Sequence, residues 1–195
     1  MEKKLKLSED EKEIVSYSTD LVIHNFITLI AISLVAWFLG CLQTALTATF
    51  VSALFRALSG GAHSESPINC TIISVIMSAI IGISSIIYGE LPALIVITFI
   101  LLVTIISLKI FWVLAPVDSQ AKPITSESHR MKLRQLSIMA VVILSVLNVF
   151  FVNSSPAVFS QYALASSFAM SWQAFTLTSP GHKFRNRIDS LARKS

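Results

Sequence analysis

A chain of 195 residues with 54% hydrophobic and only 13% charged residues, at a mean hydropathy of +0.73, carries about half the charged fraction of a soluble domain of its size. That excludes an ordinary soluble enzyme and describes an all-α polytopic membrane protein, one compact bundle with the lipid bilayer as its first partner. The net charge of +4 comes without interleaved aromatic and basic residues, so no nucleic-acid partner is expected.

Met1 to Asp20 mixes charges and reaches its first apolar run too late for a cleavable signal peptide. Ser8 with Glu11 forms a capping box, and Leu7, Ile14, Val15 and Leu21 form a thin apolar stripe. Residues 1–20 are therefore predicted to be an amphipathic helix on the cytoplasmic surface, with a frayed tail as the alternative.

Leu21 to Leu58 is almost free of charge and, at roughly 38 residues, is nearly twice the ~20 that one spanning helix needs. Its weakest point is Gly40-Cys41-Leu42-Gln43, which divides it into spans at Val22–Leu39 and Leu42–Leu58. On the second span Thr44, Ala48, Ser52 and Arg56 recur every four residues; on the third, Cys70–Tyr88, so do Cys70, Ser74, Ser78 and Gly82. Two such small-residue stripes can approach closely, so these faces are expected to pack together with Arg56 and Cys70 at one end.

A turn at Gly89–Pro92 leads to a fourth span ending at Leu114. Lys109 lies inside that span, where its long stem snorkels to the interface or, as the alternative, contacts substrate. Pro116–Arg134 reads as a long polar loop carrying Lys122, Arg130, Lys132 and Arg134. Spans five and six follow at Leu136–Val152 and Ala157–Leu177, around a turn at Asn153–Pro156. The bundle covers residues 21–180, and 181–195 reads as a short basic tail with Lys183, Arg185, Arg187, Arg193 and Lys194. Six spans put the termini and all Lys and Arg clusters on one side, opposite turns whose only charge is Glu90. By the positive-inside rule that side is cytoplasmic.

Chemistry concentrates in Phe55–Ser74, with the loop 59–70 at its centre. Gly60 and Gly61 let a helix end and turn sharply, and their N–H groups are candidate oxyanion donors. Ser66-Pro67 is a helix-start signal that puts Cys70 in a first turn, where unpaired N–H groups and the helix dipole stabilise a thiolate. On one straight helix His63 would stand roughly 10 Å from Cys70. The glycine bend and the proline let it fold back, making a Cys–His dyad feasible. Glu65 is either a solvated loop carboxylate or a group that orients His63. Arg56 is either a snorkelling cation or a binder of a substrate carboxylate or carbonyl. Cys41 falls at the opposite membrane face, about 25–30 Å from Cys70 and far beyond disulfide reach. His24, His129 and His182 have no partner pattern and read as surface groups. Without a CxxC or HExxH element, neither a metal nor another cofactor is expected.

The order Arg56, Gly61, Ala62-His63, Cys70, with small polar residues at Ser64 and Ser66, resembles the signature of the accessory gene regulator B (AgrB) family. Ala115-Pro116-Val117-Asp118 through Lys122-Pro123-Ile124 is similar to that family's later loop. The resemblance implies a membrane cysteine endopeptidase of Gram-positive bacteria that trims a signal propeptide, the regulator D peptide, and helps convert it into a cyclic thiolactone for quorum sensing. Carried over, Cys70 is the nucleophile and His63 the base, with Arg56 and Gly61 in support. Asp118 and Lys122 are structural or, with Arg56, contact the propeptide. Two other readings stay open, a six-span peptide carrier and a non-catalytic membrane scaffold, and so does a homodimer.

Overall fold

The computed structural model describes residues 9–61, 67–117 and 126–192. Among them the protein is all helical, with α1 (Glu9–Phe38), α2 (Leu42–Ser59), α3 (Pro67–Gly89), α4 (Ala93–Leu114), α5 (Glu127–Ser154), α6 (Pro156–Leu177) and α7 (Ser179–Ala192). Helices α3, α4 and α5 are long and apolar enough to cross a bilayer, and only 28% of each apolar stretch is buried within the protein. Their outward faces, with Ile76, Ile105, Trp112, Ile143 and Phe150 exposed, therefore face lipid. The protein is an integral membrane protein.

Residues 1–8 of the expected surface helix lie outside the described residues, and over 9–20 it is not a separate element. Nothing between Glu9 and Phe38 is Gly or Pro, so one helix runs unbroken across that boundary into the first apolar run. It ends where the sequence weakens: the Cys41 N–H returns to the Ala36 carbonyl at 2.9 Å and the Gly40 N–H to Trp37 at 3.1 Å. That pair of bonds is a Schellman closure.

Helix α6 is the centre of the bundle, touching α2, α3, α4, α5 and α7. Its buried residues include Ser160, Ala163, Ala165, Ser166, Ser167, Ala169 and Ala174. Small side chains on every face let the neighbouring helices come close, so α6 is buried although it falls outside the set apolar enough to cross lipid. Polar groups are paired across helices, Asn148 Nδ2 to Ser166 Oγ at 2.6 Å and Thr104 Oγ1 to Ser145 Oγ at 2.7 Å. Phe55 and Phe111, ring centroids 5.1 Å apart, anchor the core cluster that Met170 and Leu177 complete.

The faces of α2 and α3 meet as their spacing predicted. Thr44 Oγ1 donates to the Gly82 carbonyl at 3.1 Å, Thr49 Oγ1 and Ser78 Oγ are 3.0 Å apart, and Arg56 lies against Cys70 at the end. Along α2 the contact shifts by one residue, from Ala48 to Thr49, because Ala48 is taken into the core beside α6. Cys41 packs on this same seam: a Cβ at Gly82 would lie 3.1 Å from its sulfur. Gly82 is twelve residues along α3 from Cys70, roughly 18 Å at 1.5 Å per residue. The two thiols are thus closer than the 25–30 Å expected from opposite membrane faces, but both are free.

Two polar stretches are more ordered than their composition suggested. Glu127–Arg134, read as loop, is the first two turns of α5, since no Gly or Pro follows Pro123 there. As far as Ala192 the basic stretch after Gly181 is not an open tail but α7, an amphipathic helix, and Arg193 and Lys194 lie outside the described residues. Thr178 caps it, its carbonyl accepting from the His182 N–H at 3.0 Å and its Oγ1 from the Gly181 N–H at 3.3 Å. Gly181 lies so close to the end of α6 that a Cβ would strike the Phe175 carbonyl oxygen and come within 2.9 Å of Thr176 Cα. Gly181→Val is therefore expected to undock α7 while leaving α1 to α6 in place. Trypsin cleavage at Lys183 and Arg187 in detergent-solubilised protein should rise about tenfold, from the ~1–3 kcal/mol that overpacking a close contact costs. Unchanged cleavage would refute the close docking.

Candidate active site

The site forms where three distant stretches converge at one end of the bundle. Helix α2 stops at Ser59 because Gly60 takes φ 67° and ψ −144°, a conformation that L side chains resist. The Gly60 N–H caps the helix by donating to the Arg56 carbonyl at 3.0 Å. The Gly60 carbonyl accepts from Gln173 Nε2 of α6 at 2.7 Å, and the Ser59 carbonyl from the Val117 N–H at 2.9 Å. Gly60 and Val117 form a parallel bridge in which a Cβ on Gly60 would collide with the Val117 carbonyl oxygen. The two motif stretches thus lie side by side. Arg134 Nε, donating to the Ala115 carbonyl at 2.9 Å, ties the second to α5.

Cys70 sits in the first turn of α3, which begins at Pro67 as the helix-start signal predicted. Its thiol is free and half-buried. Arg56 Nη1 approaches its sulfur to 3.7 Å. A second guanidinium, Arg185 of α7, is only 3% exposed and stands one turn before Asp189, which Asn69 holds beside Cys70, near enough for Cys70 to bear on its charge. Burial pushes the Arg185 guanidinium below its ordinary value and the neighbouring Arg56 charge adds to this; Cys70 and Asp189 pull it back up. Asp189, one turn further along α7, accepts from Asn69 Nδ2 at 3.1 Å, locking α7 to the first turn of α3. The arrangement presents a free thiol beside two cations, a setting that suits anionic oxygen.

Of the residues singled out from sequence, Arg56, Gly60, Gly61 and Cys70 come together here. His63, Glu65, Asp118 and Lys122 lie outside the described residues, in the segments 62–66 and 118–125 that follow Gly61 and Val117 in the chain. The expectation that the Gly60 N–H serves as an oxyanion donor is overturned, because α2's own cap occupies it. Nor is His24 a solitary surface group: on α1 it meets Thr71 Oγ1 through Nε2 at 3.2 Å, and Thr71 also bonds Thr28 Oγ1 at 2.7 Å. That network stands directly beside Cys70 in the chain.

Sequence reasoning missed Arg185, Asp189, Asn69 and Gln173. A signal for the first two was present: Ser179-Pro180 is the same helix start as Ser66-Pro67, and Phe184, Ile188 and Leu191 follow at helical spacing with Arg185 and Asp189 four apart. Gln173, 1% exposed, is one of several polar residues on α6, with Gln161 and Ser171 among them, and carried no signal of its target.

Among the described residues, fold and site together define an all-helical membrane protein with a half-buried free thiol beside guanidinium groups at a bundle end. The chain belongs to the accessory gene regulator B (AgrB) family, whose profile matches residues 1–177. It is 31% identical to the AgrB-like protein 2 of Clostridium perfringens strain 13, an alignment covering 97% of this chain and 92% of that one. It is 29% identical, with the same coverage, to the AgrB-like protein of C. perfringens strain SM101. To the AgrB-like protein of Listeria innocua it is 26% identical over 67% of this chain and 62% of the other. No solved structure matches. Membership gives the protein a role in the agr quorum-sensing system.

The collision at Gly60 separates crowding from backbone strain. Gly60→Ala is expected to lower the thermal midpoint of the solubilised protein by about 3–10 °C, more than Gly40→Ala does, because ~1–3 kcal/mol of strain is compounded by the contact with Val117. Gly40 shares the backbone sign, at φ 69°, but has nothing within 4 Å of a Cβ. Equal effects of the two substitutions would dismiss the docking of the two motif stretches as a source of stability.

Proposed function

We propose that the protein is a membrane-embedded cysteine endopeptidase that cleaves a quorum-sensing signal propeptide through a thioester on Cys70. The observation that carries this reading is the Arg56 to Cys70 contact of 3.7 Å at the start of α3, at the end where the two family motif stretches are bridged. His63, on the short segment joining that bridge to α3, is assigned as the base. It takes the thiol proton as the sulfur attacks the scissile carbonyl carbon, and returns it to the departing amine as the C–N bond breaks. The released part is the propeptide's C-terminal portion; the acyl group stays on sulfur. The propeptide's own thiol then attacks the thioester carbonyl, forming a thiolactone while its proton goes back to Cys70. One thioester replaces another, so the ring closes with little change in bond energy. Asp118 and Lys122, following Val117, are assigned to propeptide contact.

Six spans, from α1 to α6, with both termini and Cys70 on the cytoplasmic side, fit this role. Arg56, Arg134 and Arg185 share one end with the site, and Glu90 lies at the turn between α3 and α4. Cytosolic conditions keep the thiol reduced. An amphipathic propeptide would concentrate on the same leaflet, a gain in effective concentration that offsets weak contacts.

The test is cleavage of a candidate propeptide, an amphipathic helix followed by a Cys-containing core and an acidic tail, by full-length protein in lipid vesicles, followed by mass spectrometry. Cys70→Ala, Cys70→Ser and His63→Ala are expected to lose at least about a thousandfold in rate, as nucleophile and base removals do, whereas Cys41→Ser retains activity. Undiminished cleavage in both Cys70 variants would remove the protease reading, and propeptide export without any cleavage by the wild type would replace it with a carrier.

A further inference from the structure

When sulfur adds to a peptide carbonyl, the C=O π pair moves onto oxygen, and a preorganised donor at that oxygen is commonly the largest single source of rate. The Gly60 N–H is committed to the Arg56 carbonyl and Arg56 Nη1 to the sulfur. Arg185 is different. It is 3% exposed, it lies one turn from Asp189, which is bonded to the neighbour of Cys70, Asn69, and its Nη1 has no hydrogen-bond partner among the described residues. A buried guanidinium N–H left open is costly, and an acceptor arriving beside it removes that cost. The surrounding groups hold the side chain rather than fill that N–H: Asn69 fixes Asp189 at 3.1 Å, and Asp189 and Cys70 both favour the charged guanidinium. Phe184, the neighbour of Arg185 on α7, packs edge-on against Trp172 of α6, ring centroids 6.0 Å apart.

We propose that Arg185 Nη1 is a donor to anionic oxygen at Cys70, binding carboxylates in the resting site and the carbonyl oxygen of the propeptide as it gains charge during attack. The second half rests on the endopeptidase reading; the first does not. In the step itself the Sγ–C bond forms while the π pair goes to oxygen, which accepts from Arg185. On collapse the pair returns, C=O re-forms, the C–N bond breaks, and the amine leaves with the proton the base had taken from the thiol. Arg185 keeps all its protons throughout. It lies on α7, beyond the residues 1–177 that the family profile matches, so the inference comes from this fold and not from the motif.

A pair of alkylating agents of nearly equal size reads the subsite without a propeptide. Full-length protein in neutral phosphatidylcholine vesicles is treated at one pH with iodoacetate or with iodoacetamide, and the Cys70 adduct is followed by mass spectrometry. The expected ratio of iodoacetate to iodoacetamide rates at Cys70 exceeds that of glutathione. It should fall about tenfold in Arg185→Gln, the size of one charge-assisted hydrogen bond, and lie between the two in Arg185→Lys. A role for Arg185 in holding α7 alone would slow or speed both reagents together and leave the ratio unchanged, which overturns the proposal. So does a wild-type ratio no higher than that of glutathione, a measurement that requires no variant to fold. If Cys70 variants cleave the propeptide normally while the ratio behaves as expected, the endopeptidase reading fails and the carboxylate site stands. If wild-type cleavage is Cys70-dependent and Arg185→Gln cleaves at the full rate, the oxyanion role fails alone.

Discussion

The bundle depends on a helix that is buried along most of its length by side chains too small to fill space. α6 offers Ala and Ser to α2, α3, α4, α5 and α7, and in a bilayer, where lipid is as apolar as leucine, close backbone approach replaces the hydrophobic effect as the source of helix association. Large residues are supplied instead by the neighbours, Phe55 and Phe111 at one level and Val96, Ile100 and Val152 at another. Because α6 touches each of these neighbours, it also sets where their ends lie. Gln173, near its last turn, grips the Gly60 carbonyl, and its closing turn at Thr178 launches α7.

From that scaffold the site is assembled by short backbone contacts. The bend after α2 is held by Val117 on one side and Gln173 on the other, so Arg56 cannot move independently of the loop before α5. The first turn of α3 is held by Asn69 to Asp189 and by Thr71 to His24 and Thr28. Cys70 thus occupies a helix start braced on one side by α7 and on the other by α1. Such bracing fixes where the Cys70 sulfur stands.

Much of the site was legible because its signals are local. Ser66-Pro67 announced the start of α3, and the period of four in Thr44 to Arg56 and Cys70 to Gly82 announced the α2 to α3 seam. Each depends on residues within a turn or two of one another. The shift to Thr49 on that seam was not legible, because it follows from Ala48 being claimed by α6. The same holds for the helical beginning of α5: charge argued for a loop, while helix propensity and its packing through Arg134 made it a helix.

Hydropathy and residue spacing alone determined that this is a membrane bundle, where its apolar runs lie, and that Arg56 and Cys70 stand at one end, since each follows from the periodicity of a single helix or pair. Only the tertiary structure decided that a basic C-terminal stretch folds back over Gly181 as α7 and brings Arg185 near Cys70. Asn69 and Asp189 are 120 positions apart in the chain, and no local pattern encodes which of several arginines will be buried when helices so distant are drawn together around a common core.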